Sequence, residues 1–220
     1  MNISEVKTLL ASDDPQRRLR GLTALRDFES ETAVPLLIAH RQESVFWVRS
    51  FVAMGLGRKR NEASYAALLE MLAAETDNNV QAEIANSLGL HGSRAVERLA
   101  ALFHENDNWL VRRSVLAIMP ELESPRQLLK IAVAALKDPD QTISQAGIST
   151  LGLLADTCEA GQALEALLPL LSDQNWRSRL ALAHALKPFE SDRARDALAK
   201  LRQDSHHKVI AAALEDLLPT

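Results

Sequence analysis

The feature that most constrains this chain is a repeat. Residues near the start of successive amphipathic stretches, Leu19, Val48, Val80, Val111, Ile143, Ser178 and Val209, fall at intervals of 29, 32, 31, 32, 35 and 31. All but Ser178 are apolar. The clearest copy runs from Asn106 to Met119: an amide and acidic turn, then a helix with Val111, Val115 and Ile118 on one face. In unit two Val48, Val52 and Leu56 repeat that face. A unit of this length cannot bury its apolar side alone, so copies must stack and share a continuous core. The expected fold is therefore an all-α solenoid of about seven helix pairs, forming one domain over residues 1–220 with the first and last pairs as caps. Composition agrees: of 220 residues, 47% are hydrophobic and only 4% aromatic, so Ala and Leu dominate the helix faces.

Punctuation fits the same frame. An acidic or amide residue stands five places before the anchor at Asp14, Glu43, Asn106, Asp138, Asp173 and Asp204, suited to a helix N-cap or the turn before it. Asp14-Pro15 and Asp138-Pro139 read as cap and first turn, as does Ser124-Pro125. Gly57, Gly89 and Gly152 share one place, nine residues after the anchor, where a helix should end. Pro120 and Pro188 should stop the helices before them. First helices are expected near 3–11, 32–41, 62–74, 93–104, 125–137, 160–171 and 192–203, with Pro35 and Pro169 producing a kink or a late start in two. Ala24, Ala53 and Ala85 would let neighbouring helices approach closely. The 35-residue interval places a longer connection at residues 156–161.

Val48 to Gly57 and Val111 to Ala117 share the pattern Val-Arg followed by small apolar residues. They resemble HEAT repeats, in particular the short bacterial phycobilisome-lyase HEAT-like type. That resemblance implies a structural ladder of Asp and Arg between adjacent repeats. The Arg place reads Arg20, Arg49, Gln81, Arg112, Ser144, Arg179 and Ile210, so the ladder should break at repeats three, five and seven. Residues 1–6, 48–57 and 107–114 are further similar to cyanobacterial HEAT proteins that bind A-type iron–sulfur carriers such as IscA. The resemblance thus implies a non-catalytic adaptor whose partner is another protein. Related cyanobacterial HEAT proteins are phycobilin lyase subunits, so a bilin held in the concave groove, with lyase-type activity, is the alternative.

Two places before the anchor stand Phe46, Trp109 and Trp176. These rings either plug gaps between repeats or form an exposed row for a partner, since Trp and Arg are favoured at binding hot spots. Trp47 shares a face with Phe51 and is expected in the core. Arg49, Arg112, Arg113, Arg177 and Arg179 lie beside the row on second helices, the expected concave side. They could pair with carboxylates of a partner or propionates of a bilin. Arg49, Arg112 and Arg179 are also the expected ladder residues, whereas Arg113 lies outside the ladder. Arg58-Lys59-Arg60 reads as solvated loop charge.

Other chemistry is hard to place. His40, His91, His104, His184, His206 and His207 lack chelating spacing, no phosphate loop or nucleophile elbow occurs, and Cys158 is the single cysteine. No cofactor or metal site is expected. A net charge of −4 argues against nucleic acid as partner. No apolar run is long enough for a membrane span, so the expected location is the cytoplasm.

Overall fold

The computed structural model describes residues 1–215. Among them are fourteen α-helices, in seven antiparallel-type pairs, and no strand. The pairs are α1 (Ile3–Leu10) and α2 (Pro15–Ala24), α3 (Ser30–Ala39) and α4 (Phe46–Lys59), α5 (Glu62–Ala74) and α6 (Asn78–Gly89), and α7 (Val96–Glu105) and α8 (Trp109–Ile118). The remaining three are α9 (Pro125–Ala135) and α10 (Gln141–Gly152), α11 (Ala160–Leu167) and α12 (Trp176–Leu186), and α13 (Asp192–Leu201) and α14 (His207–Leu214). The first four pairs form one compact unit, Met1–Leu122, and the chain from Glu123 onward forms a second.

Each unit is built on its second helices. In the first unit α4 packs on α2 and α6, and α6 on α8; in the second α12 packs on α10 and α14. The seam is a stripe repeating every four residues. Val48, Val52 and Leu56, then Val80, Ile84 and Leu88, are all fully buried, as are Ile143 and Leu151 in the second unit. Spacing of four places these side chains one above another on one face. First helices close the core from outside through Leu37, Leu68, Leu99 and Ile131. Ile118, expected in the stripe, is half-buried, and fully buried Met119 stands in its place. Val111 and Val115 are fully buried as expected.

The caps correct the register of the first repeat. N-caps occur at Asp14, Val45, Asp77, Asn108, Asp140, Asn175 and His206, three places before each anchor from repeat two onward. Repeat one obeys the rule only if its anchor is Arg17, which makes the first interval 31. The anchor place is held by a charged Arg17, so the nearest apolar residue is Leu19; behind Arg17, buried Gly21 and Leu25 continue the stripe. Consequently Pro139 precedes the cap of α10, and Ser124 sits at the cap of α9 without a side-chain hydrogen bond. Ala53 and Ala85 are buried at helix contacts, whereas Ala24 is half-buried.

The glycines nine places after the anchor are close-packing devices rather than left-handed caps; among the described residues positive φ occurs at Gly92, Arg60 and Glu123. A Cβ on Gly57 would lie 2.8 Å from the Cα of Ser87, and one on Gly89 would lie 2.0 Å from Cγ1 of Ile118. On Gly152 it would lie 2.9 Å from the Cα of Ala185. Ser87, Ile118 and Ala185 all stand seven places after their own anchors, so one contact recurs at three junctions. Pro35 lies inside α3, and Pro169 falls where α11 tightens into a 3₁₀ segment, Leu168–Ser172. Pro120 lies in the 3₁₀ segment after α8, and α12 ends two residues before Pro188. The connection expected at 156–161 is a run of turns over residues 153–159, and α11 already begins at Ala160.

Candidate functional site

The residues five places before each anchor organise the turns into the second helices. Four of them accept the backbone N–H of the cap residue two places on: Asp138 from Asp140 at 2.8 Å, Asp173 from Asn175 at 2.7 Å, Asp204 from His206 at 2.8 Å and Asn106 from Asn108 at 2.8 Å. They are turn residues and not the caps themselves. Glu75 belongs to the series and holds the Asp77 N–H at 2.9 Å, a member that sequence reading omitted. Ser12 fills the place in repeat one.

On this series rests the ladder. Arg49 donates Nε and Nη2 to Glu75 of the next repeat, at 2.7 and 2.9 Å, and Nη1 to the Glu43 carbonyl at 2.8 Å. Arg179 repeats this with Asp204, at 2.6 and 2.9 Å, and with the Asp173 carbonyl at 2.6 Å. In repeat one the rung is Arg18 to Glu43, both bonds at 2.8 Å, and exposed Arg20 takes no part in it; the register shift accounts for the correction. Repeat three is not a break. Gln81 donates Nε2 to the Glu75 carbonyl at 2.7 Å and accepts from Asn106 Nδ2 at 2.7 Å, an uncharged rung. Ser144 instead bonds within its own helix, to Gln141.

Charge follows geometry. Burial works to raise the Glu75 carboxyl, but Arg49 and the N–H groups of Asp77 and Thr76 outweigh it and hold it below its ordinary value. Burial acts likewise on Glu43 and is overcome by Arg18 and His40, whose Nδ1 lies 2.8 Å from it. Arg179 lowers Asp204. Glu83, on α6, has no such partner: burial dominates and raises its carboxyl, against weaker pulls from Ser87 and Arg58.

With Arg49 and Arg179 thus committed between repeats, the remaining candidates separate. Arg112 is also largely buried and donates to the Asn106 carbonyl and the Asp107 carboxylate, both at 2.7 Å. Phe46 is 44% exposed and Trp109 47% exposed. They stand at the same place on α4 and α8, with α6 between, so they lie roughly two helix spacings of 8–10 Å apart. Trp109 borders an open depression of about 400 Å3 with Asn78, Asn79 and Asn108. Arg113, one residue beyond the ladder position, is exposed and makes no hydrogen bond or ion pair among the described residues. In the second unit Trp176 is half-buried, stacked on His206 with ring centroids 3.9 Å apart and an angle of 3°. The exposed Arg177 lies 4.6 Å from the Trp176 ring centroid, and Lys208 Nζ 5.5 Å.

Two further expectations change. Phe51, placed in the core with Trp47, is 37% exposed, and Trp47 is half-buried. Lys59 is not free loop charge: its Nζ donates to the carbonyls of Arg26 and Phe28, at the end of the first pair. His206 and His207 stack ring on ring at 4.8 Å. Among the described residues no group of three or more His, Cys, Asp or Glu side chains is arranged to hold a metal, and no helix is long and apolar enough to cross a membrane. Cys158 is exposed.

No curated protein matches the sequence. Among solved structures, the Escherichia coli protein YibA matches with a TM-score of 0.67 and 16% identity, over 96% of this chain and 80% of that one. The complex of CpcE and CpcF of phycocyanin lyase from Nostoc sp. PCC7120 matches with a TM-score of 0.58 and 18% identity, over 99% of this chain and 95% of that one. At such identities the likeness is one of fold. The model for HEAT repeats matches residues 3–89, 39–119 and 128–218. Taken with the seven helix pairs and their inter-repeat ladder, these matches place the chain in the HEAT-repeat family.

Proposed function

We propose that the protein is a non-catalytic adaptor, one solenoid over residues 1–220, that binds a partner protein through the N-terminal ends of its second helices. The observation that carries this reading is the exposure of Phe46 and Trp109, with Arg113 exposed one helical turn beyond Trp109. Large rings have no structural duty there, because the ladder and the glycine contacts already join the repeats. An exposed ring next to an unengaged guanidinium suits a partner surface of mixed apolar and acidic character. Trp176 and Arg177 supply the same chemistry in the second unit. From the sequence resemblance to the IscA-binding HEAT protein IaiH, the partner is an A-type iron–sulfur carrier, met in the cytoplasm.

Titration of the purified protein with such a carrier tests this. Trp109→Ala and Arg113→Ala should each weaken binding by about tenfold or more, while Arg20→Ala, exposed on the same unit, leaves it unchanged. Unaltered affinity in both variants would show that the surface is wrong. The second reading is a tetrapyrrole-handling protein, supported by the fold shared with phycocyanin lyase and by the cations around Trp176, which suit propionates. It requires a visible absorbance change when phycocyanobilin meets micromolar protein; a spectrum equal to the sum of the components rejects it.

A further inference from the structure

The first repeat junction lacks the glycine contact of the three junctions described above, and a cavity lies beside it. At the α4/α6, α6/α8 and α10/α12 junctions a glycine nine places after one anchor receives the residue seven places after the next. At the α2/α4 junction the sizes are exchanged: Arg26 stands where the glycine should be, and Gly55 stands where Ser87, Ile118 and Ala185 stand elsewhere. Arg26 is exposed outside the seam, and at Gly55 the space a side chain would need is taken by Leu37, whose Cδ2 lies 2.7 Å from where a Cβ would stand. In addition α2 ends at Ala24 whereas α4 continues to Lys59, so on that side the last turns of α4 meet the 3₁₀ segment Leu25–Asp27 rather than an α-helix. Beside this junction lies a recess of about 180 Å3.

Its floor is apolar, made by Leu22, Leu25 and Leu37 with Met54 and one face of Phe51. That leaves Phe51 partly exposed at its wall, which explains why it is not a core residue. Its rim carries Arg26, Arg58 and Lys59, and no lining residue is acidic. Lys59 is held by backbone carbonyls of the first pair. Arg26 has only a solvent-exposed pair with its neighbour Asp27, at 3.2 Å, of the kind that contributes little. Arg58 is exposed and makes no hydrogen bond or ion pair among the described residues; its carboxylate neighbour Glu83 feels it only at a distance.

We infer that this recess binds a small amphipathic carboxylate, an aromatic or branched apolar body carrying one anionic group. The apolar body would displace water from the leucine floor, and the carboxylate would lie between the guanidinium groups of Arg26 and Arg58. The volume sets the size. It corresponds to about six waters at roughly 30 Å3 each and falls below the roughly 300 Å3 at which pockets for drug-sized ligands begin. A tetrapyrrole is too large. The site does not use Phe46, Trp109 or Arg113, so it stands or falls apart from the proposed adaptor surface.

Calorimetric titration of the full chain with 3-phenylpropionate, and with the uncharged 3-phenylpropanamide, tests the assignment. The acid should bind at least about tenfold more tightly than the amide. Arg58→Gln and Arg26→Gln together should remove that preference. Thr23→Trp, placing a ring at the mouth from an exposed position, should abolish binding of both compounds. Trp109→Ala should bind as the parent does. Equal affinity for acid and amide, or binding unaffected by Thr23→Trp, overturns the inference. So does a peptide ending in phenylalanine that binds more tightly than the free acid, since the recess would then capture chain ends.

Discussion

Arg49 shows what a single side chain does in this architecture. Its planar fork spans two repeats, meeting both oxygens of Glu75 ahead and the Glu43 carbonyl behind. Lysine has no such fork and could not hold all three acceptors. Arg49→Ala leaves a mostly buried carboxylate and a turn carbonyl without their donor. The expected loss is about 2–4 kcal/mol of stability, read as a lower urea midpoint at unchanged slope. The same pairs fix the response to acid. Glu43 and Glu75 are held below an ordinary value of 4.5, and Asp204 below 3.8, in the folded chain. A depressed folded pKa means that the unfolded state takes up protons first as pH falls. Their stabilisation is therefore complete above about pH 5 and declines from about 4.5 downward, as thermal melts between pH 7 and pH 3 should record. Substituting Glu75→Gln should flatten part of that decline.

At the scale of the helix, the recurring glycine contact distinguishes two kinds of close approach. At Gly89 an added methyl would meet the side chain of Ile118, which can move or be shortened. At Gly57 it would meet the backbone of Ser87, which cannot. Both Gly→Ala changes should destabilise, by about 1–3 kcal/mol. Ile118→Ala should restore much of the loss at Gly89, whereas Ser87→Ala should restore little at Gly57; chemical denaturation of the two double variants compares them. Helix positions were readable because caps, prolines and the apolar beat agree: α1, α5, α9, α11 and α13 begin at or within a residue of their expected starts. What the sequence concealed was the register of the first repeat. A charged Arg17 at the anchor hid the stripe, and the interval of 29 against a run of 31 and 32 was the available sign. The candidate site was legible as a row of rings. Whether a ring two places before an anchor reaches solvent depends on neighbours distant in sequence, as the stacking of His206 on Trp176 demonstrates.

At the scale of the whole molecule, stability in a repeat protein is a sum of unit and junction contributions, so a weak junction shows as lost cooperativity. The proposal of one solenoid over residues 1–220 carries the expectation of a single calorimetric transition with equal calorimetric and van't Hoff enthalpies. Two resolved transitions would instead assign residues 1–122 and the remainder to separate folding domains. One feature of the ladder bears on how such a chain loosens. The rung from Gln81 to Asn106 carries no ionisable group, unlike those built on Glu43, Glu75 and Asp204. Protons can weaken its neighbours and leave it untouched, and added salt has no charge there to screen. The rung at the α6–α8 joint is thus indifferent to the two solution variables that govern the other rungs: in an acidified or saline medium it is the crosspiece that keeps its hold while the charged ones slacken.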